Sequence, residues 1–165
     1  AVADMNGDLK ADVVGTEVGG ACKNVLALAS GMATGVGLGA HTAAAIITRG
    51  LAETTRLGTA LGGDSVTFAG LAGIGDLIAT CMSPLSRNHS FGVRLGQGMA
   101  VSEVVAVTKQ TAEGVKSCTS ILDLARNNGV DVPIIEQVDA MIQHDRTAPE
   151  VVAALLSRPR KAETA

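Results

Sequence analysis

An acid, a hydroxyl and an Arg-Asn pair stand within thirteen residues of otherwise small, apolar sequence, in Gly73-Ile-Gly-Asp-Leu-Ile-Ala-Thr-Cys-Met-Ser-Pro-Leu-Ser-Arg-Asn-His89. Asp76 and Thr80 are four apart, so on a helix they share one face. Pro84 ends that helix, because its ring cannot continue the ladder and it restricts Ser83 before it. Ser86-Arg87-Asn88 then falls in the turn or at the start of the next helix. A planar guanidinium beside an amide and a hydroxyl is a receptor for a phosphate dianion. An N-capping serine beside a solvated arginine is the plainer alternative.

A second segment, Thr16-Glu-Val-Gly-Gly-Ala-Cys-Lys-Asn-Val-Leu-Ala-Leu-Ala29, sets one lysine in a run of small and apolar residues. Read as a helix, it buries Cys22, Val25, Leu26 and Ala29 around Lys23. The ammonium must then snorkel to water or lie in a partly dry pocket that lowers its pKa. In the second case Lys23 is a candidate general acid and base near neutral pH. In the first its stem merely covers apolar surface.

These blocks resemble a known family in order and spacing. Gly19-Gly-Ala-Cys-Lys-Asn-Val25, Ile47-Thr-Arg-Gly-Leu51, Thr67-Phe-Ala-Gly-Leu-Ala-Gly-Ile-Gly-Asp-Leu77 and Leu85-Ser-Arg-Asn88 look like the substrate domain of bacterial NAD(P)-dependent glycerol-3-phosphate dehydrogenase. The resemblance runs from about Asp12 to Arg158. It implies an all-α domain spanning 12–158, of the C-terminal type shared with 6-phosphogluconate dehydrogenase. It also implies roles, residue by residue. Lys23 would exchange a proton with the substrate oxygen. Asn24, Asp76 and Thr80 would hold Lys23 and the substrate hydroxyls in place, and Ser86, Arg87 and Asn88 would bind the phosphate. Thr111 and Glu113, in Gln110-Thr-Ala-Glu-Gly114, match positions that contact NAD or NADP from this domain, and by the same resemblance Arg87 would also touch the cofactor. Family habit and an aliphatic helical surface suggest a homodimer. Three alternatives stay open: a related hydroxyacid dehydrogenase, a non-catalytic module for triose or glycerol phosphate, and an all-α domain kept only for association. The related enzymes space their catalytic Lys and Asn four apart, whereas Lys23 and Asn24 are adjacent. One departure from the family is His41, where Asn is usual. His41, His89 and His144 read as surface or core-satisfied residues without metal-ligand spacing.

Composition narrows the function classes. The chain has 165 residues, 47% apolar content, two Phe and no Tyr or Trp, which suits one domain with a core of small aliphatics. Its 20 glycines point to close helix-helix approach. A net charge of −3 with scattered basic residues lacks a nucleic-acid footprint, and the scarcity of aromatics removes the stacking platforms expected of a single-strand binder. Cys22, Cys81 and Cys118 fit no disulfide or metal spacing, which favours a reducing compartment. The apolar runs are too short to span a bilayer, and no leader pattern starts the chain. The expectation is a cytoplasmic protein acting on a small phosphorylated substrate, with no metal.

Helices should position these residues. The patterns predict them from near Glu17 to Thr34 and from Thr42 to about Leu61, where Gly62-Gly63 stops the second. Within it, Gly50 should admit another helix and Arg49 should pair with Glu53, four residues on. Short helices follow at 66–71, 74–82 and 87–96, then at 102–106 after Ser102. Val115, Cys118, Leu122 and Ala125 mark an apolar stripe stopped by Asn127-Asn128-Gly129. Ile134, Ile135, Val138, Met141 and Ile142 mark another, entered through Pro133. Thr147-Ala-Pro-Glu150 reads as a capping box opening a last helix to Leu156. No strand alternation stands out.

A dinucleotide cradle does not. Gly35-Val-Gly-Leu-Gly39 has the wrong spacing for G-x-G-x-x-G and follows a helix rather than a strand. The resembling family carries its nucleotide-binding half N-terminal to this domain. Residues 1–11 do not match the strand expected to join the halves and read as an atypical leader or linker, and 159–165 as a tail. This half alone is expected to be inactive.

Overall fold

The computed structural model describes residues 12–144 and 146–157, with Val2, Ala3, Leu9 and Lys10. The tail at 159–165, Arg158 and most of the leader lie outside the described residues. Helices α1 (Val13–Gly35) and α2 (Ala40–Ala60) are followed by short α3 (Ser65–Ala69), a single π turn (Leu71–Gly75) and α4 (Asp76–Met82). Then come α5 (Arg87–Gly96), α6 (Val101–Thr108), α7 (Glu113–Asn127), α8 (Pro133–Gln143) and α9 (Ala148–Ser157). One feature departs from the helical expectation. Val2–Ala3 (β1) pairs antiparallel with Leu9–Lys10 (β2), a ribbon only two residues deep.

Helix α1 is the axis of the domain. Nine consecutive residues, Val25 to Ala33, are buried, so no polar face is left and neighbours pack on every side. Its start lies at Val13 rather than near Glu17, because Asp12 caps it. Asp12 Oδ1 accepts from Gly15 N at 2.8 Å, while Oδ2 accepts from Asp64 N and Thr67 Oγ1 at 2.9 and 2.7 Å. One carboxylate thereby ties the start of α1 to the start of α3.

Glycines set the tightest contact. A Cβ on Gly31 would fall 2.2 Å from His89 O, and one on Gly92 would fall 2.3 Å from Leu28 O. Gly35 and Gly96 repeat this one turn on, so the backbones of α1 and α5 touch. Gly50 likewise admits α1: its Cβ would lie 2.5 Å from the Leu26 side chain.

Three local expectations need correction. Arg49 does not pair with Glu53; its Nη1 donates to Leu155 O at 2.8 Å. Glu53 faces the core instead, and both its oxygens accept from Ile134 N, at 2.8 and 3.0 Å. An i, i+4 spacing puts two residues on one face, but here that face meets α8 and α9 rather than water. Ser102 lies inside α6, and Glu103 Oε2 accepts from Ala100 N at 2.7 Å to close that helix start. At α9 only the glutamate arm of the capping box forms, with Glu150 Oε2 accepting from Thr147 N at 2.9 Å and from its hydroxyl at 2.8 Å.

Candidate active site

Lys23 and Asn24 sit where α1 leaves its fully buried run, half-covered and side by side. The Lys23 ammonium donates to Asp76 Oδ2, and Thr80 Oγ1 donates to Asp76 Oδ1 at 3.3 Å. The pair is partly open, with 27% of the Lys23 side chain and 41% of the Asp76 side chain exposed. Water, or a ligand, reaches both.

Asp76 arrives there for local reasons. It is the first residue of α4, where an acid meets the positive end of the helix dipole. The π turn before it closes over Phe68, and a Cβ on Gly73 would lie 2.2 Å from Phe68 O. Leu77 and Cys81 bury the adjoining face of α4, and Ser30 Oγ donates to Cys81 O at 3.1 Å, fixing α4 on α1. A crevice of only ≈ 10 Å³ beside Lys23, walled by Thr54 and Phe68, has room for about one water.

Asn24 joins three elements. Its Oδ1 accepts from Asn88 Nδ2 at 2.9 Å, and its Nδ2 donates to Glu113 Oε2 at 3.2 Å and to Gly20 O at 3.3 Å. Asn88 Oδ1 accepts in turn from Gly114 N at 2.9 Å. Gly114 can approach because it has no side chain; a Cβ there would stand 2.6 Å from Asn24 O. Arg87 lies 3.6 Å from Glu113, with both side chains largely exposed. Such a pair is weak and leaves the guanidinium free to take a ligand.

Ser86 caps α5, accepting from His89 N at 3.3 Å, so the plainer reading of that serine is realised while its hydroxyl hydrogen can still be donated. Thr111 stands across a larger cleft from Arg87. That cleft, about 150 Å³, is also bordered by Arg94, Ser90 and Thr108. The sequence-predicted site residues thus fall into linked groups: Lys23, Asp76 and Thr80 form one, Asn24, Asn88, Arg87 and Glu113 the next, Ser86 precedes Arg87 at the start of α5, and Thr111 lines the same cleft as Arg87.

Outside these groups, His41 and His144 are exposed, as expected. His89 differs: its Nδ1 is buried without a hydrogen-bond partner, and burial pushes the ring below its ordinary pKa against an opposing backbone hydrogen bond at Cys81. The three cysteines are free and buried, and desolvation pushes the Cys22 and Cys81 thiols up to about 12. Among the described residues no cluster of potential metal ligands occurs, and no helix is long and apolar enough to cross a membrane.

Residues 12–153 match the family described as the NAD-dependent glycerol-3-phosphate dehydrogenase C-terminus. The chain belongs to this family. It is 61% identical over 152 residues to glycerol-3-phosphate dehydrogenase (NAD(P)+) of Streptomyces griseus, covering 92% of this chain and 45% of that protein. The enzyme of the same name from Thermobifida fusca is 62% identical over equal shares. The crystal structure of glycerol-3-phosphate dehydrogenase from Coxiella burnetii matches with a TM-score of 0.87 at 38% identity, over 90% of this chain and 46% of that one. The chain therefore spans about half the length of the glycerol-3-phosphate dehydrogenases it matches. The all-α C-terminal architecture is that of the family.

Gly114 and Arg94 were not anticipated as site residues. Gly114 had a signal, since it directly follows Glu113. Arg94 had none beyond its place seven residues after Arg87.

Proposed function

We propose that this chain is the substrate-binding half, with the catalytic lysine, of an NAD(P)-dependent glycerol-3-phosphate dehydrogenase that interconverts sn-glycerol 3-phosphate and dihydroxyacetone phosphate. The observation that carries this reading is the Lys23–Asp76 pair. Two segments 53 residues apart place a proton donor and its orienting carboxylate at a solvent-open edge, beside the Asn24–Asn88 amide pair. Lys23 gives its proton to the ketone oxygen of dihydroxyacetone phosphate and takes it back from the alcohol in reverse. Asp76, held by Thr80, fixes the ammonium; Asn24 and Asn88 fix the substrate, an orientation effect. Arg87, with Ser86 and Asn88, grips the phosphate, and that remote binding energy aligns the reacting carbon.

Arg87, Thr111 and Glu113 offer a guanidinium, a hydroxyl and a carboxylate along one rim. That donor set fits part of NAD or NADP, with the rest of the cofactor held outside this domain. When bound, the reduced cofactor supplies the hydride. Within this reading the enzyme is cytoplasmic, which suits three free buried thiols, and works as a homodimer.

Fusing the chain to the nucleotide-binding half of a relative tests the proposal. Turnover of dihydroxyacetone phosphate is expected, and Lys23→Ala should lower kcat by about 10²–10⁴-fold. Undiminished turnover in that variant overturns the assignment.

A further inference from the structure

Helices α1, α4 and α5 meet around the site, and side chains already described close two sides of that triangle. Lys23 joins α1 to α4 through Asp76, and Asn24 joins α1 to α5 through Asn88. On the third side, between α4 and α5, the chain runs through the turn at 83–86. Ser90 Oγ donates to Pro84 O at 2.8 Å, which ties α5 to that turn and not to α4 itself.

His89 stands on this third side. It lies in the first turn of α5, directly after Arg87 and Asn88, and its N–H is fixed by Ser86 Oγ. Its ring is held by a backbone hydrogen bond at Cys81, in the last turn of α4. Cys81 O also accepts from Ser30 Oγ of α1 at 3.1 Å. As one of the last carbonyls of α4 it has no N–H of its own helix to meet, and its two lone pairs can take one donor from each neighbour. The three helices therefore share one oxygen. The imidazole is kept there at a cost, because its Nδ1 is the one buried side-chain nitrogen or oxygen among the described residues without a partner. An apolar side chain would avoid that cost and leave α4 and α5 unjoined.

We propose that His89 is a positioning residue: through Cys81 it fixes the first turn of α5 against α4, and so sets the span between the Lys23 ammonium and the phosphate grip at Arg87 and Asn88. The inference rests on the proposed function, because only a ligand that reaches both ends feels the span. Glycerol 3-phosphate does so, with its hydroxyl at Lys23 and its phosphate at Arg87. Orthophosphate meets the phosphate end alone. When the two ends lose their register, the bridging ligand is weakened, since the second contact no longer falls where the first leaves it.

Calorimetric titration of this chain with glycerol 3-phosphate and with orthophosphate reads the span. His89→Leu, which removes the ring nitrogens, should weaken glycerol 3-phosphate about tenfold and orthophosphate by less than about twofold. His89→Asn and His89→Gln carry an amide donor near the places of the two ring nitrogens, and at least one should return glycerol 3-phosphate to within about threefold of the parent. An unchanged glycerol 3-phosphate affinity in His89→Leu overturns the role. Equal losses of both ligands, the mark of general disruption, overturn it too, as does failure of both amides to restore binding. Amide hydrogen exchange reads the tie with no ligand present: His89→Leu should speed exchange at Met82 and Ser83 about tenfold, and unchanged rates there refute the tie. A parent chain that binds glycerol 3-phosphate no more tightly than orthophosphate counts against the proposed function, and the exchange rates then still decide whether His89 joins α4 to α5.

Discussion

Asp76 and Glu53 are both carboxylates that a helix turns toward its neighbours, and the protein treats them oppositely. Asp76 is met by the Lys23 ammonium and the Thr80 hydroxyl at an edge left 41% open. Glu53 is 2% exposed and is met by the backbone N–H of Ile134 at the start of α8, where Pro133 occupies the first helical position. Desolvation, the largest influence, pushes the Glu53 carboxyl up to about 7, although its backbone bonds at Ile134 and Ile135 and the charge of Arg56 pull it down. A charge answered by a charge at an open edge can be shared with a ligand. A carboxyl answered by a helix end inside the core can only hold the fold.

Substitutions should separate the two. The largest effect on stability is expected from Glu53→Ala, which leaves Ile134 N–H unpaired beside a cavity and should cost about 2–4 kcal/mol in denaturant unfolding. An unchanged midpoint would dissolve the contrast. Next is pH. Because the folded pKa of Glu53 lies above its ordinary value of 4.5, the native state holds the proton more tightly than the unfolded chain. The stabilisation is complete below pH 4.5 and is lost as pH rises through about 7. At about 1.4 kcal/mol per pH unit it amounts to about 3 kcal/mol, and Glu53→Gln should flatten that part of the profile. A parent profile that rises across this window would contradict the assignment.

Smaller still, Arg87→Ala should weaken glycerol 3-phosphate by about tenfold and leave glycerol unaffected, the loss of one forked charge contact. Equal losses for both ligands would refute a phosphate role. The smallest effect is that of Asp76→Asn on stability, below about 1 kcal/mol because the pair is half-exposed and screened. The same substitution should nevertheless depress turnover of the fused enzyme strongly. A large melting shift with normal turnover would make Asp76 structural, like Glu53.

Much of the helical frame was legible in local pattern. The apolar stripe on α7, Pro133 opening α8 and Gly62 ending α2 each depend on residues within a turn or two of one another. The start of α1 was misplaced because its cap, Asp12, is completed by Asp64 and Thr67 from another element. The Arg49–Glu53 pair failed for a related reason: spacing says which residues share a face, but not what that face meets. His89 reads as an ordinary histidine until the fold shuts its Nδ1 from water.

The site divides along the same line. The sequence by itself determined its ingredients: a lysine and an asparagine beside the apolar run of the first helix, an acid four residues before a threonine, and an Arg-Asn pair after a helix-ending proline. Their types and short spacings are local facts, and the four blocks around them identify the family. Only the tertiary structure decided that Asp76 meets Lys23, that Asn88 reaches both Asn24 and Gly114, and that Arg94 shares the cleft of Arg87 and Thr111. Those meetings depend on backbones brought together at Gly31, Gly92 and Gly114, where the next atom of any other side chain would occupy the neighbouring helix.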